Sequence, residues 1–78
     1  MNKKIKINLN DFSKIKKFIN VTRSFVSDID VIRGKVILDG KSLLGLMALD
    51  LSEDIYVRII SDDVTEIRKF DAEMEEFR

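Results

Sequence analysis

A chain without histidine or cysteine has few chemistries open to it, and this chain of 78 residues has neither. Its candidate groups are the hydroxyl of Ser42, the carboxylates of Asp11, Asp28 and Asp30, and the amines of Lys14, Lys16 and Lys17. Ser42 precedes Leu43-Leu44-Gly45-Leu46-Met47-Ala48-Leu49 and reads as the N-cap of a short apolar helix. A phosphate on that hydroxyl would meet helix N-terminal N–H groups and gain from the dipole, so cap and phosphosite are compatible roles. Asp11, in Asn10-Asp11-Phe12-Ser13, also reads as an N-cap. As a phosphoryl acceptor it would want a metal and further carboxylates close by. No two of Asp11, Asp28 and Asp30 are spaced like a shared site, which disfavours an enzyme. Lys14, Lys16 and Lys17 read as a solvated helix face, with Lys14 and Lys17 as candidate contacts to a phosphate or an acidic partner. Leu43, Leu44, Leu46 and Met47 are too many apolar residues for one buried stripe. Leu43, Leu44 and Met47 are therefore expected to be partly exposed as a docking surface for a protein partner.

The absences exclude more. Ser–His and Cys–His nucleophile systems are impossible here, and the usual zinc ligands are missing, so no metal or other cofactor is expected. Gly34, Gly40 and Gly45 match no nucleotide-binding fingerprint. With 45% hydrophobic and 36% charged residues the chain is too apolar for disorder and has a soluble surface. No apolar run approaches a membrane span, and the alternating basic start from Met1 to Lys6 is no signal peptide, so a cytoplasmic location is expected. Net charge is zero, but residues 1–39 hold nine Lys/Arg against four Asp/Glu, and residues 40–78 five against ten. Either the halves interleave and neutralise one another, or one side is basic and the other acidic. Neither arrangement makes a case for nucleic acid, and Tyr56 alone is too few outward aromatics for an RNA-binding sheet.

Seven elements must position these groups. Lys4 to Leu9 alternates strictly and predicts a half-buried strand with Ile5, Ile7 and Leu9 inward. Phe12, Ile15, Phe18, Ile19, Thr22 and Phe25 recur at helical spacing, predicting an amphipathic helix over 12–25. Ile29 and Val31 begin a second strand, Arg33-Gly34 reads as a tight turn, and residues 35–38 pair back as a third. After the short helix at 43–49 comes a polar connection, Asp50 to Asp54, interrupted only by Leu51. Ile55, Val57 and Ile59 predict a fourth strand. Ser61-Asp62-Asp63 then caps a last helix carrying Val64, Ile67, Phe70, Met74 and Phe77. The order is βαββαβα in a single domain, 1–78. It predicts an α+β open-faced sandwich: a four-stranded antiparallel sheet with three helices on one face.

That order, the length and the stretch Gly40-Lys41-Ser42-Leu43-Leu44-Gly45-Leu46-Met47-Ala48-Leu49 resemble the HPr phosphocarrier family of the bacterial phosphotransferase system. Phe18 and Phe25 fall where that family carries core residues, and Phe18 to Ser42 aligns without a gap. The resemblance implies a His at the start of the first helix that takes a phosphoryl group from enzyme I and passes it to sugar-specific permease components, with an Arg and a Pro close behind. In this chain the His position falls at Asp11, with Ser13 and Lys14 where the Arg and Pro would be, so phosphohistidine transfer is lost. Asp11 could instead imitate the charge of the phosphorylated His permanently. The resemblance also implies a regulatory Ser at the start of the short second helix, phosphorylated by an HPr-type kinase in Gram-positive members, and Ser42 matches it. It places the starts of the first and second helices near each other, which would bring Lys14 or Lys17 toward Ser42.

The reading is therefore a non-enzymatic HPr-like protein, related to carbohydrate uptake or catabolite regulation by resemblance. It would act by binding protein partners and through Ser42. The alternative is an interaction module without phosphorylation, a homodimer through the apolar surface around Leu43–Met47.

Overall fold

The computed structural model describes residues 4–50 and 52–78. The basic start Met1–Lys3 and the apolar interruption Leu51 lie outside them. The elements are β1 (Lys4–Ile7), α1 (Phe12–Thr22), β2 (Asp28–Arg33), β3 (Val36–Asp39), α2 (Leu43–Met47), β4 (Ile55–Ile60) and α3 (Val64–Met74), followed by a 3₁₀ turn at Glu75–Phe77. The four strands form one antiparallel sheet in the order β1-β4-β2-β3. Ile5, Ile7, Ile29, Val31, Ile55, Val57 and Ile59 point from it to the helices, where Phe18, Phe70, Met74 and Phe77 meet them as one core. Alternation with period two places these residues on one face and leaves the other open.

Because β4 lies between β1 and β2, the halves of the chain interleave. Four of the five ion pairs among the described residues join the basic half to the acidic half: Lys6–Asp54, Lys17–Glu76, Arg33–Glu53 and Arg58–Asp30. In the first three the cation comes from the basic half, so the charge asymmetry along the sequence is partly neutralised in space.

Several boundaries differ from the sequence reading. The first strand stops at Ile7, because Asn8 N–H leaves the ladder to donate to the Phe77 carbonyl at 2.6 Å. Leu9 is nonetheless buried. α1 ends at Thr22 rather than residue 25. There the Ser24 and Phe25 N–H groups turn back to the carbonyls of Val21 and Thr22, and the Ser24 hydroxyl donates to Val21 as well. Phe25 reaches the core from the loop, edge-on to Phe70 with centroids 6.0 Å apart. Phe12 and Val64, counted with the helical spacing, are 52% and 59% exposed, each at the first position of its helix and ahead of the residues that face the core. The hairpin turn is Gly34-Lys35, not Arg33-Gly34: Arg33 pairs with Val36, and Gly34 takes φ +58°, the left-handed conformation a glycine adopts without strain. α2 closes at Met47, and the final helix tightens into 3₁₀ geometry after Met74.

The loop between α1 and β2 is held from α3. The Glu66 carboxylate accepts from the N–H groups of Val26 (3.0 Å) and Ser27 (2.9 Å), while Lys69 Nζ donates to the Ser24 carbonyl at 2.9 Å and lies over the Phe25 ring. The Ser27 N–H is the main cause of a Glu66 pKa below the ordinary carboxylate value. The carboxyls of Asp11 and Asp50 are lowered in the same way, by the Lys14 N–H and by the Ser52 hydroxyl respectively. With folded-state values below unfolded ones, the native chain binds fewer protons. This stabilisation is complete above the unfolded values, about pH 4, and is lost as pH falls through the folded ones. Glu66→Gln keeps an acceptor but cannot titrate. Its urea midpoint should therefore fall less between pH 7 and pH 3 than that of the natural chain, and equal falls would remove Glu66 from the acid limb.

Candidate functional site

The turn before α2 is built almost wholly from hydrogen bonds. Gly40 N–H donates to the Ile29 carbonyl (2.7 Å), and Gly40's own carbonyl accepts from the buried Thr22 hydroxyl (2.8 Å). The Asp39 carboxylate accepts from the Lys41 N–H (2.9 Å), and the Asp39 carbonyl from the Ser42 N–H (3.1 Å). This leaves Ser42 in an extended conformation, with its Oγ accepting from Gly45 N–H at 3.1 Å as the cap of α2. A Cβ at position 45 would stand only 3.2 Å from that Oγ, so Gly45 keeps space open beside the hydroxyl.

The next turn of α2 divides its apolar residues. Leu46 is fully buried, and Leu43 is half-buried against the core. Leu44 is 82% and Met47 53% exposed. Met47 and Leu49 form one wall of a shallow cleft of about 270 Å³ whose other wall is Asp11, Phe12 and Ile15. Exposed Phe12 therefore extends the surface of Leu44 and Met47 across to α1. A larger cleft of about 510 Å³, between the Gly34-Lys35 turn and Glu53, holds none of the candidate residues.

Asp11 caps α1. Its carboxylate accepts from Lys14 N–H (2.9 Å) and from the Ser13 hydroxyl (2.7 Å), and these bonds hold its pKa below the ordinary value. Among the described residues no three His, Cys, Asp or Glu side chains gather in a group able to hold a metal ion. No helix there is long and apolar enough to cross a membrane.

The expected approach of Lys14 or Lys17 to Ser42 is overturned. The helices are set with the end of α1 over the start of α2, through Thr22–Gly40 and Arg23–Lys41, and with the start of α1 beside Met47. Eleven residues of α1, about 16 Å of helix, thus separate its cap from the Ser42 turn. Lys14 stays at the Asp11 end, and Lys17 pairs with Glu76 at 3.2 Å. The cations at Ser42 are instead Arg23, whose Nε donates to the Lys41 carbonyl (3.3 Å), and Lys41, whose Nζ donates to the Phe25 carbonyl (2.8 Å). Lys41 was legible as the residue before Ser42. Arg23 required the relative direction of two helices, which side-chain spacing does not carry.

No family model matches the sequence, and no curated protein matches it. Solved structures do match. The crystal structure of HPr-C-His from Thermoanaerobacter tengcongensis has a TM-score of 0.74 at 20% identity, over 97% of this chain and 92% of that one. The phosphocarrier protein HPr from Bacillus anthracis strain Ames has a TM-score of 0.75 at 16% identity, over 100% and 96%. The chain has the HPr-like fold, end to end.

Proposed function

We propose that this chain is an HPr-like, phosphocarrier-related protein that binds protein partners without phosphohistidine transfer and is regulated by phosphorylation of Ser42. Carbohydrate uptake or catabolite control is the process this reading favours. The observation that carries it is the pairing of Ser42, half-buried at the start of α2, with the exposed apolar side chains of Leu44 and Met47 one turn on. A dianionic phosphate at Ser42 would stand beside that apolar surface and alter what binds it. The transfer is ordinary: Ser42 Oγ bonds to the γ-phosphorus of ATP, the bond to the bridging oxygen breaks, ADP leaves and the hydroxyl proton is released. Arg23, which donates to the Lys41 carbonyl, and Lys41 itself are the cations at this turn that would answer the new charge. The absence of histidine from the sequence excludes the carrier step itself.

Intact-mass analysis after incubation with an HPr-type serine kinase and ATP tests the reading. One phosphate is expected on the natural chain and none on Ser42→Ala, with far-UV circular dichroism showing that both are folded. An unmodified natural chain would leave Ser42 as a helix cap. A second reading would then stand on the contiguous exposure of Phe12, Leu44 and Met47, a surface suited to a homodimer without phosphorylation.

A further inference from the structure

The sheet has two edges, β1 and β3, and they are built differently. On β1 the open face presents Lys4 and Lys6, charges of the kind that keep an edge from pairing with another chain. On β3 the strand between Lys35 and Asp39 is wholly apolar, with Ile37 57% and Val36 38% exposed. Its backbone is also open. The two-residue turn makes Arg33–Val36 a hydrogen-bonded pair, so by alternation Ile32–Ile37 is not one. The Gly40 to Ile29 bond of 2.7 Å keeps that phase at the far end of the strand. The N–H and C=O of Ile37 therefore point away from the sheet.

Pairing also sets the open face in rows. One runs Lys6, Tyr56, Ile32, Ile37; the next runs Lys4, Arg58, Asp30, Asp39. Asp30 stands opposite Asp39, a like-charge pair that costs stability. Arg58 neutralises Asp30 at 2.9 Å, but among the described residues neither Asp39 nor Lys35 has an ion-pair partner.

We propose that β3 pairs antiparallel with β3 of a second copy of this chain about a two-fold axis at Ile37, making one eight-stranded sheet. In that register Ile37 meets Ile37, Val36 meets Leu38, and Lys35 meets Asp39 at both ends. The two Ile37 residues exchange both backbone hydrogen bonds, and the row Tyr56–Ile32–Ile37 continues unbroken into its copy. Each Asp39 gains the cation it lacks. Sliding by two residues keeps the backbone phase but sets Ile37 against Asp39, so the side chains select the symmetric register. An unrelated extended peptide would meet the same open backbone without matching these charges. Four residues a side make a small interface, and the dimer is a weak one.

The sequence contains no cysteine, so Ile37→Cys installs a single thiol at the axis. In a glutathione redox buffer this variant should form disulfide-linked dimer roughly tenfold or more faster than Val26→Cys, whose position is 92% exposed but off the edge. Adding Lys35→Asp should slow cross-linking about tenfold, and adding Asp39→Lys to that should restore it. Sedimentation velocity of the unmodified chain up to about 1 mM should show a monomer–dimer equilibrium that Ile37→Lys abolishes. Equal cross-linking at positions 37 and 26 would overturn the proposal, as would a chain that stays monomeric throughout. A dimer that survives Ile37→Lys but is lost on Leu44→Lys would also overturn it and assign self-association to the helix surface.

Discussion

Phe18→Ala is expected to remove about 3–5 kcal/mol of folding free energy, the usual cost of truncating a buried phenylalanine. Phe18 is fully buried on α1 and meets Phe77 edge to face, with centroids 5.4 Å apart and planes at 85°. Phe77 belongs to the last turn of the chain, whose carbonyl also takes the Asn8 N–H. The substitution therefore opens a cavity where α1, the end of β1 and the final turn converge, and removes the contact that seats Phe77. A domain of this length is typically worth about 4–12 kcal/mol in total. Urea unfolding followed by circular dichroism should show the midpoint reduced by about a quarter or more, or a chain unfolded at 37 °C. A loss below about 1 kcal/mol would mean that the aromatic pair is not part of the core's support.

Gly40→Ala should be the most disruptive small change near Ser42. A Cβ there would lie 2.8 Å from Ile29 Cγ2 and 2.9 Å from the Ile29 carbonyl oxygen. The methyl could be turned aside by a rotamer change, but the backbone oxygen cannot move, because it accepts the Gly40 N–H at 2.7 Å. Relief must come from displacing the turn, and this also breaks the 2.8 Å bond from the Thr22 hydroxyl to the Gly40 carbonyl. The expected loss is about 1–3 kcal/mol, with faster amide exchange at Gly45, whose N–H reports the Ser42 cap. Thr22→Val should cost less in the Gly40→Ala background than in the natural chain, since the bond it removes is already broken. Full additivity of the two would show that the turn accommodates the methyl in place.

Much of the fold was legible because one rule governs it. Strict alternation at Lys4–Ile7 and Ile55–Ile60, and the three- and four-residue spacing of Ile15, Phe18, Ile19 and Thr22, each identify an element and its buried face. Periodicity says less about where an element stops. Phe25 keeps helical spacing, yet it sits in a loop folded back by Ser24 and pinned by Glu66 and Lys69 from about forty positions away. The caps Asp11, Ser42 and Asp63 were readable from residue type, and each accepts a first-turn N–H as their chemistry dictates. What surrounds them was not. The Thr22–Gly40 bond, the placement of Arg23 and the distance of Lys14 and Lys17 from Ser42 all depend on α1 and α2 lying in opposite directions, a property of neither helix alone.

The central place of β4 bears on how such a chain is made. β1 touches the sheet only through β4, and β2 has β4 on its inner side. Until Ile55–Ile60 has been synthesised, the nascent chain can assemble only the β2–β3 hairpin and its helices. At ribosomal rates of about 5–20 residues per second, β1 waits roughly 3–10 s for the strand it must join. During that interval the backbone of β1 has no strand to pair with, and the alternating lysines at positions 4 and 6 discourage neighbouring nascent chains from claiming it.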